Sequence, residues 1–184
     1  ATKNGLIKKT ATSEFDRILR SGKIAIRIVE GDELISVQFA GGNDEIVVAS
    51  RSGKCIRFSE TDVRPMGRDT MGVRAMNLSE DDAVVDMLVL KEGCDILTVS
   101  ENGYGKRTDP ADYRIQSRGG KGIKAGVFNE KTGALVNMKL VTDEDDVMLV
   151  TSAGIVIRMH ADSISHIGRN TRGVRLMNVR DGVV

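Results

Sequence analysis

NGLIKKT (4–10), SGKCIRF (52–58), NGYGKRT (102–108) and AGIVIRM (153–159) are four versions of one phrase, a turn glycine followed by a short apolar and basic strand. Their glycines, Gly5, Gly53, Gly103 and Gly154, stand 48, 50 and 51 residues apart. A second glycine follows each at an offset of 17, 19, 19 and 19 residues: Gly22, Gly72, Gly122 and Gly173. Two markers in step over the whole chain, with a period near fifty, indicate stacked or circularly arranged units rather than a single irregular topology.

One unit shows what is repeated. In residues 41–90, IVVAS (46–50) is an apolar, β-branched run, Arg51-Ser52-Gly53 is a turn, and CIRF (55–58) returns. The hairpin reading is strengthened by Asn4-Gly5 and Asn102-Gly103, since both residues tolerate the positive φ of a tight hairpin turn. A polar connection, SETDVRPMGRDTM (59–71), leads to GVRAMNL (72–78) and AVVDMLVL (83–90), two further strands around an acidic turn. Four strands in fifty residues is the content of one propeller-type blade. The chain is therefore expected to be all-β, an array of about four units with boundaries near 1–40, 41–90, 91–140 and 141–184, the outer two partial. Ala1-Thr2 aligns with Ala49-Ser50, and Val183-Val184 with Val84-Val85, so the array is expected to be part of a longer one. SEFDRIL (13–19) and TDVR (61–64) are the only places that suggest a helical turn.

Composition narrows the function. No apolar run approaches the ~20 residues of a membrane span and no secretory leader is evident, which predicts a cytoplasmic protein with no membrane partner. Two cysteines, Cys55 and Cys94, in different units supply no disulfide framework. The net charge of +1 conceals a pattern. Residues 1–23, 51–74, 101–124 and 151–175 carry +4, +3, +3 and +3, whereas 24–45, 75–95 and 125–146 carry −4, −5 and −3. The sign alternates in phase with the repeat, so equivalent basic segments would line one rim, where Lys and Arg can neutralise the phosphates of a nucleic acid. Only six aromatic residues, none of them Trp, leave few platforms for stacking unpaired bases, which favours a duplex over a single strand.

One segment is sharper than the rest. Gln116-Ser117-Arg118-Gly119-Gly120-Lys121-Gly122 sets two cations beside a glycine-rich backbone that can approach a phosphate closely. It is not a P-loop, which needs Ser or Thr after the Lys. Nothing else reads as chemistry. His160 and His166 are the only histidines, too few for a zinc site, and the serines have no activating partners. Neither a metal nor a catalytic residue is expected.

QSRGGKG resembles the QRRGGKG-type box of the DNA gyrase A subunit, with Ser117 in place of a basic residue. NGYGKRT, MGRDTMGVR (66–74) and IGRNTRGVR (167–175) carry the resemblance to that subunit's C-terminal domain along the rest of the chain. The resemblance implies a β-pinwheel of four-stranded blades that exchange strands. It also implies a non-catalytic function, wrapping duplex DNA around a basic rim so that the holoenzyme introduces negative supercoils. The catalytic tyrosine would lie outside this chain, ATP and Mg would serve the holoenzyme only, and the partners would be the rest of the gyrase A subunit and the gyrase B subunit. The expected contacts are Gln116, Arg118, Gly119, Gly120, Lys121 and Gly122, with Arg68, Arg169, Lys9, Arg57, Arg107 and Arg158 from the repeated basic segments. In the family the box belongs to an early blade, so the copy at 116–122 is either the principal box or a secondary one. Two alternatives stay open: the corresponding domain of the topoisomerase IV A subunit, and a propeller that serves as a protein platform. The missing Trp-Asp and Gly-His signatures count against the platform.

Overall fold

A computed structural model describes residues 1–179, 183 and 184. Its strands are β1 (Leu6–Ile7), β2 (Glu45–Ser50), β3 (Lys54–Ser59), β4 (Val73–Arg74), β5 (Val84–Val89) and β6 (Asp95–Ser100). They continue with β7 (Tyr104–Thr108), β8 (Ile123–Lys124), β9 (Leu135–Val141), β10 (Asp146–Val150), β11 (Val156–His160) and β12 (Val174–Arg175). Among the described residues the helical content is four 3-10 turns, at Thr12–Phe15, Glu60–Asp62, Pro110–Asp112 and Ala161–Ser163. The first two coincide with the two predicted helical places. Ser59 and Asp109 cap their turns by accepting from Thr61 N at 3.2 Å and Ala111 N at 2.7 Å.

Two four-stranded antiparallel sheets are complete, in the orders β5-β2-β3-β8 and β12-β7-β6-β9. Each combines a hairpin and a following strand from one repeat with a short edge strand from the next. Ile123 and Lys124 pair with Cys55 and Lys54, and Val174 and Arg175 pair with Gly105 and Tyr104. The β1–β4 pair repeats the arrangement, with Val73 opposite Ile7 and Arg74 opposite Leu6. This corrects the unit as read from the sequence. GVRAMNL forms a ladder only at Val73–Arg74, and that ladder belongs to the preceding repeat, not to the hairpin at 46–58. The exchange of strands implied by the family resemblance is what the molecule does.

Exchange explains why two glycines recur in step, since both serve the same junction. A Cβ on Gly72, Gly122 or Gly173 would lie 2.5, 2.4 or 2.5 Å from the carbonyl oxygen of Ile7, Cys55 or Gly105, on the strand of the preceding repeat. All three have positive φ, at 97°, 70° and 80°. The first glycine receives the chain beyond them: Gly5 and Gly53 carbonyls accept from Ala75 N and Ala125 N at 2.8 Å, and the Gly103 carbonyl from Leu176 N at 2.8 Å. Close backbone approach and left-handed backbone coincide, and glycine alone satisfies both.

Three apolar clusters lie between the repeats. Ile46 and Val48 face one with Phe58, Val63 and Met87, while Val47 and Ala49 of the same strand face another with Tyr113, Leu135 and Met138. Ile96 and Leu97 likewise divide between the second cluster and a third around Val141, Leu149 and Ile164. A strand buried on both faces needs a continuous apolar run, which is why IVVAS does not alternate. β5 and β9 lie side by side, bridged by Lys139 Nζ donating to Asp86 Oδ2 at 2.8 Å. The exchanged strands therefore occupy the opposite edge of each sheet, the outer rim of the array.

Candidate nucleic-acid interface

The basic residues of the repeats fall into four structural groups. The first forms ion pairs within a hairpin. Arg57 pairs with Glu45, Arg107 with Asp95 at 3.2 Å and with Asp143, and Arg158 with Asp146. In each unit the arginine and the acid at the start of the preceding strand are 12 residues apart. Part of the charge alternation is thus cross-strand pairing. Arg107 is 7% exposed and also donates to the Ile164 carbonyl at 3.0 Å, so its guanidinium is engaged internally. Arg57 donates to the Tyr113 carbonyl at 3.0 Å as well. Lys9, the counterpart in the first repeat, pairs with buried Glu60 at 3.1 Å.

The second group is lysine clamped by carbonyls, buried at Lys106 and half-buried at Lys8. Lys106 is 1% exposed, and its ammonium donates to the carbonyls of Gly168 at 3.1 Å, Thr171 at 2.9 Å and Arg169. Burial, reinforced by the nearby Arg169 charge, lowers its pKa from 10.5 to about 8. Lys8 makes the same clamp on Gly67 at 2.9 Å, on Arg68, and on Ala25 at 2.7 Å, and burial lowers its pKa too.

The third group staples the repeats together. Arg68, Arg118 and Arg169 stand four residues before the second glycine of their units. Each donates to the carbonyl two residues beyond the second glycine of the preceding unit: Ile24 at 2.8 Å, Arg74 and Lys124. Arg118 and Arg169 also reach the carbonyls of Asp62 at 3.2 Å and Asp112 at 3.1 Å. Among the described residues these charges have no carboxylate partner, apart from Glu14 at 3.9 Å from Arg68.

The fourth group lies on the rim. Arg74, Lys124 and Arg175 occupy the exchanged edge strands β4, β8 and β12, all exposed and none in an ion pair with a described residue. Arg64, Arg114, Lys121 and Arg172 in the preceding turns are exposed as well, and form no ion pair among the described residues. Arg175 Nη2 donates to the Tyr104 hydroxyl at 2.9 Å and its guanidinium lies 5.3 Å from the ring centre. Apart from Lys121, the sequence reading did not single these residues out. Their signal was available: Arg74, Lys124 and Arg175 are each two residues after a second glycine.

The 116–122 turn differs from its counterparts. Gly119 (φ 83°) donates its N–H to the Ala75 carbonyl at 2.7 Å, and Gly120 accepts from Asn77 N at 2.9 Å. Gln116 N donates to the Arg57 carbonyl at 2.7 Å. Where the other turns meet Lys8 and Lys106, this one meets Ile56, whose Cδ1 would lie 3.6 Å from a Cβ on Gly120. That is ordinary contact, so packing does not require glycine at 120. Gly119 and Gly122 are required by the backbone, and Lys121 points outward. Of the expected contacts, Gln116–Gly122, Arg68 and Arg169 lie along the inter-repeat seams, whereas Arg57, Arg107 and Lys9 are engaged inside.

The described residues hold no cluster of His, Cys, Asp or Glu arranged for a metal. His160 Nδ1 is 2.9 Å from Asp146 and His166 Nε2 is 3.2 Å from Asp95. The described residues contain no helix long and apolar enough to cross a membrane.

Residues 1–40, 44–91, 95–142 and 145–184 match the family described as DNA gyrase C-terminal domain, beta-propeller. The chain belongs to that family. It is 46% identical over 184 residues to the DNA gyrase A subunit of Staphylococcus epidermidis (strain ATCC 12228 / FDA PCI 1200), covering 99% of this chain and 21% of that one. The chain thus spans about a fifth of the length of such gyrase relatives. A solved DNA gyrase A C-terminal domain superposes with a TM-score of 0.89 at 29% identity, covering 100% of this chain and 61% of its own. The C-terminal domain of DNA topoisomerase IV superposes with a TM-score of 0.90 over 97% of this chain and 56% of that one; at 20% identity the likeness shows the fold. The four matched segments of the gyrase C-terminal domain family begin at residues 1, 44, 95 and 145.

Proposed function

We propose that this chain binds duplex DNA along the rim formed by its exchanged strands and bends it, as a non-catalytic part of the DNA gyrase A subunit. The observation that carries the reading is the recurrence, at one position of successive edge strands, of an exposed cation without a carboxylate partner among the described residues: Arg74, Lys124 and Arg175. Affinity for a duplex comes mainly from such charges neutralising phosphates. Equivalent cations on successive units meet the backbone at successive points, and several contacts are needed to offset the ~1–6 kcal/mol of bending 20–30 base pairs by 40–90°. Identity to gyrase relatives along the whole chain favours gyrase over topoisomerase IV. In the holoenzyme, with the remainder of the gyrase A subunit and with the B subunit, the bent segment would feed ATP-driven negative supercoiling in the cytoplasm. The breakage tyrosine, ATP and Mg would belong to other parts of that enzyme. Gln116–Gly122 would supply a secondary contact through Lys121 and the charge of Arg118.

Binding to a linear duplex across a salt series tests the proposal. Four to eight phosphates would give a slope of log K against log salt of about −4 to −7. Replacing Arg74, Lys124 and Arg175 with Gln should make that slope shallower by about 2.7 and reduce the bend angle. Replacing the exposed acids Glu92 and Glu144 with Gln should change neither. A triple variant that binds and bends DNA as well as the parent would place the interface elsewhere.

A further inference from the structure

We propose that Lys54 and Lys124 form a phosphate site that latches the seam between the second and third repeats, with a bound oxyanion drawing β8 onto β3. The two lysines are direct partners in the β3–β8 ladder. Opposite residues of an antiparallel pair stand ~4.5–5.5 Å apart at Cβ on one face of the sheet, and like charges placed there oppose the pairing. The other two seams avoid this. Leu6 faces Arg74, and Tyr104 faces Arg175, whose guanidinium donates to the Tyr104 hydroxyl at 2.9 Å. Lys54 is half-buried and Lys124 exposed, and neither ammonium has a carboxylate or hydrogen-bond partner among the described residues.

The preceding turn adds positive charge and no negative charge. At the β1–β4 seam that turn carries Asp69, which pairs with Arg27 at 2.9 Å and lies near Lys8 and Arg68. Its counterpart here is Gly119, three residues before Gly122 as Asp69 is before Gly72. The turn therefore brings exposed Lys121 to this seam without a carboxylate. It also covers the face of β3 that bears Lys54: a Cβ on Gly120 would lie 3.6 Å from Ile56 Cδ1, and Ile56 is two residues along the strand from Lys54. The ladder itself is short. β8 meets β3 at two residues, extended by Ala125 N donating to the Gly53 carbonyl at 2.8 Å. Each lysine offers three rotatable donors on a flexible stem, so both can close on the oxygens of one phosphate and turn repulsion across the rung into a bridge. That this phosphate belongs to the DNA backbone rests on the rim reading above.

Amide hydrogen exchange of the whole chain tests the site, with chloride replaced by inorganic phosphate at constant ionic strength. Ala125 N, bound to the Gly53 carbonyl, reports this seam; Ala75 N and Leu176 N, bound to the Gly5 and Gly103 carbonyls, report the other two. Saturating phosphate should slow exchange at Ala125 about 2–5-fold, and at the other two amides less. Lys54→Leu, which copies Leu6, should show the slower Ala125 rate in chloride alone and no further slowing in phosphate. Equal slowing at all three amides is a general effect of the salt and overturns the site, as does a Lys54→Leu chain that responds to phosphate like the parent. A second arm uses a linear duplex, for which Lys54→Gln should make the salt slope shallower by about 0.9; an unchanged slope overturns DNA as the source of the phosphate. Protection of Ala125 by phosphate in a chain that binds no duplex would retain the site and sink the rim reading. Duplex binding at the expected slope, with Ala125 indifferent to phosphate, would sink the site alone.

Discussion

Replacing Gly122 with Ala places a methyl group against the backbone of the preceding repeat. The backbone there has φ 70°, and an alanine in the left-handed region costs about 1–2 kcal/mol by itself. The new Cβ would also stand 2.4 Å from Cys55 O and 2.9 Å from Cys55 C. Ordinary contact lies nearly 1 Å further out, and neither atom belongs to a side chain that can turn aside. Relief requires β8 to lift from β3, weakening the pairs Ile123–Cys55 and Lys124–Lys54. Two ladder hydrogen bonds at about 1 kcal/mol each bring the expected loss to about 3–4 kcal/mol. Gly22→Ala is the matched control: its φ is 76°, but no atom lies within 4 Å of the new methyl, so about 1–2 kcal/mol is expected. Any change in unfolded-state entropy is common to both. Urea unfolding followed by circular dichroism measures the two, and the Gly122 variant should show the larger drop in midpoint at unchanged slope. Equal losses within about 0.5 kcal/mol would mean that the seam yields without cost and that the second glycine is kept for its backbone conformation alone.

Lys106→Met should remove a pH dependence. Burial lowers the folded-state pKa to about 8 from 10.5, so above pH 8 the unfolded chain holds the proton more firmly and wild-type stability relative to the variant rises by up to about 3 kcal/mol toward pH 10.5; parallel unfolding curves at pH 7 and 10 check the sign. Arg107→Met leaves Asp95 without its guanidinium and should cost about 3–5 kcal/mol in the same assay, whereas Arg158→Met, at an exposed pair, should cost about 1 kcal/mol or less. Cys55 is buried, its thiol pushed up to about 12, and should resist alkylation at pH 8 until urea unfolds the chain, while partly exposed Cys94 reacts in the native protein.

The all-β class and the two glycine markers were legible because each marker answers to a local necessity, a positive φ or a carbonyl within reach. Partnership was not. GVRAMNL keeps the same period whether it pairs with its own hairpin or with the one before, so periodicity cannot separate the two, and only Val73 opposite Ile7 decides. The same limit applies to charge. Arg57, Arg107 and Arg158 share a phase with Arg74, Lys124 and Arg175, yet the first three face acids 12 residues earlier, and the others lie on the rim without a described carboxylate partner. A count per segment adds both kinds together. Arg180 and Asp181, the only charged residues of 176–184, lie outside the described residues.

The position of Arg74, Lys124 and Arg175 has a mechanical consequence. Each belongs by chain to one repeat and by hydrogen bonding to its predecessor, with an arginine from the repeat after holding Arg74 and Lys124 by the carbonyl. A tug on the Arg74 side chain is therefore shared at once by three consecutive repeats, and it loads the β1–β4 ladder along the strand, where hydrogen bonds must yield together, instead of peeling them one at a time. The rim behaves as a hem stitched through adjoining panels: a stiff polymer curved against it would strain the whole array a little and no single seam very much.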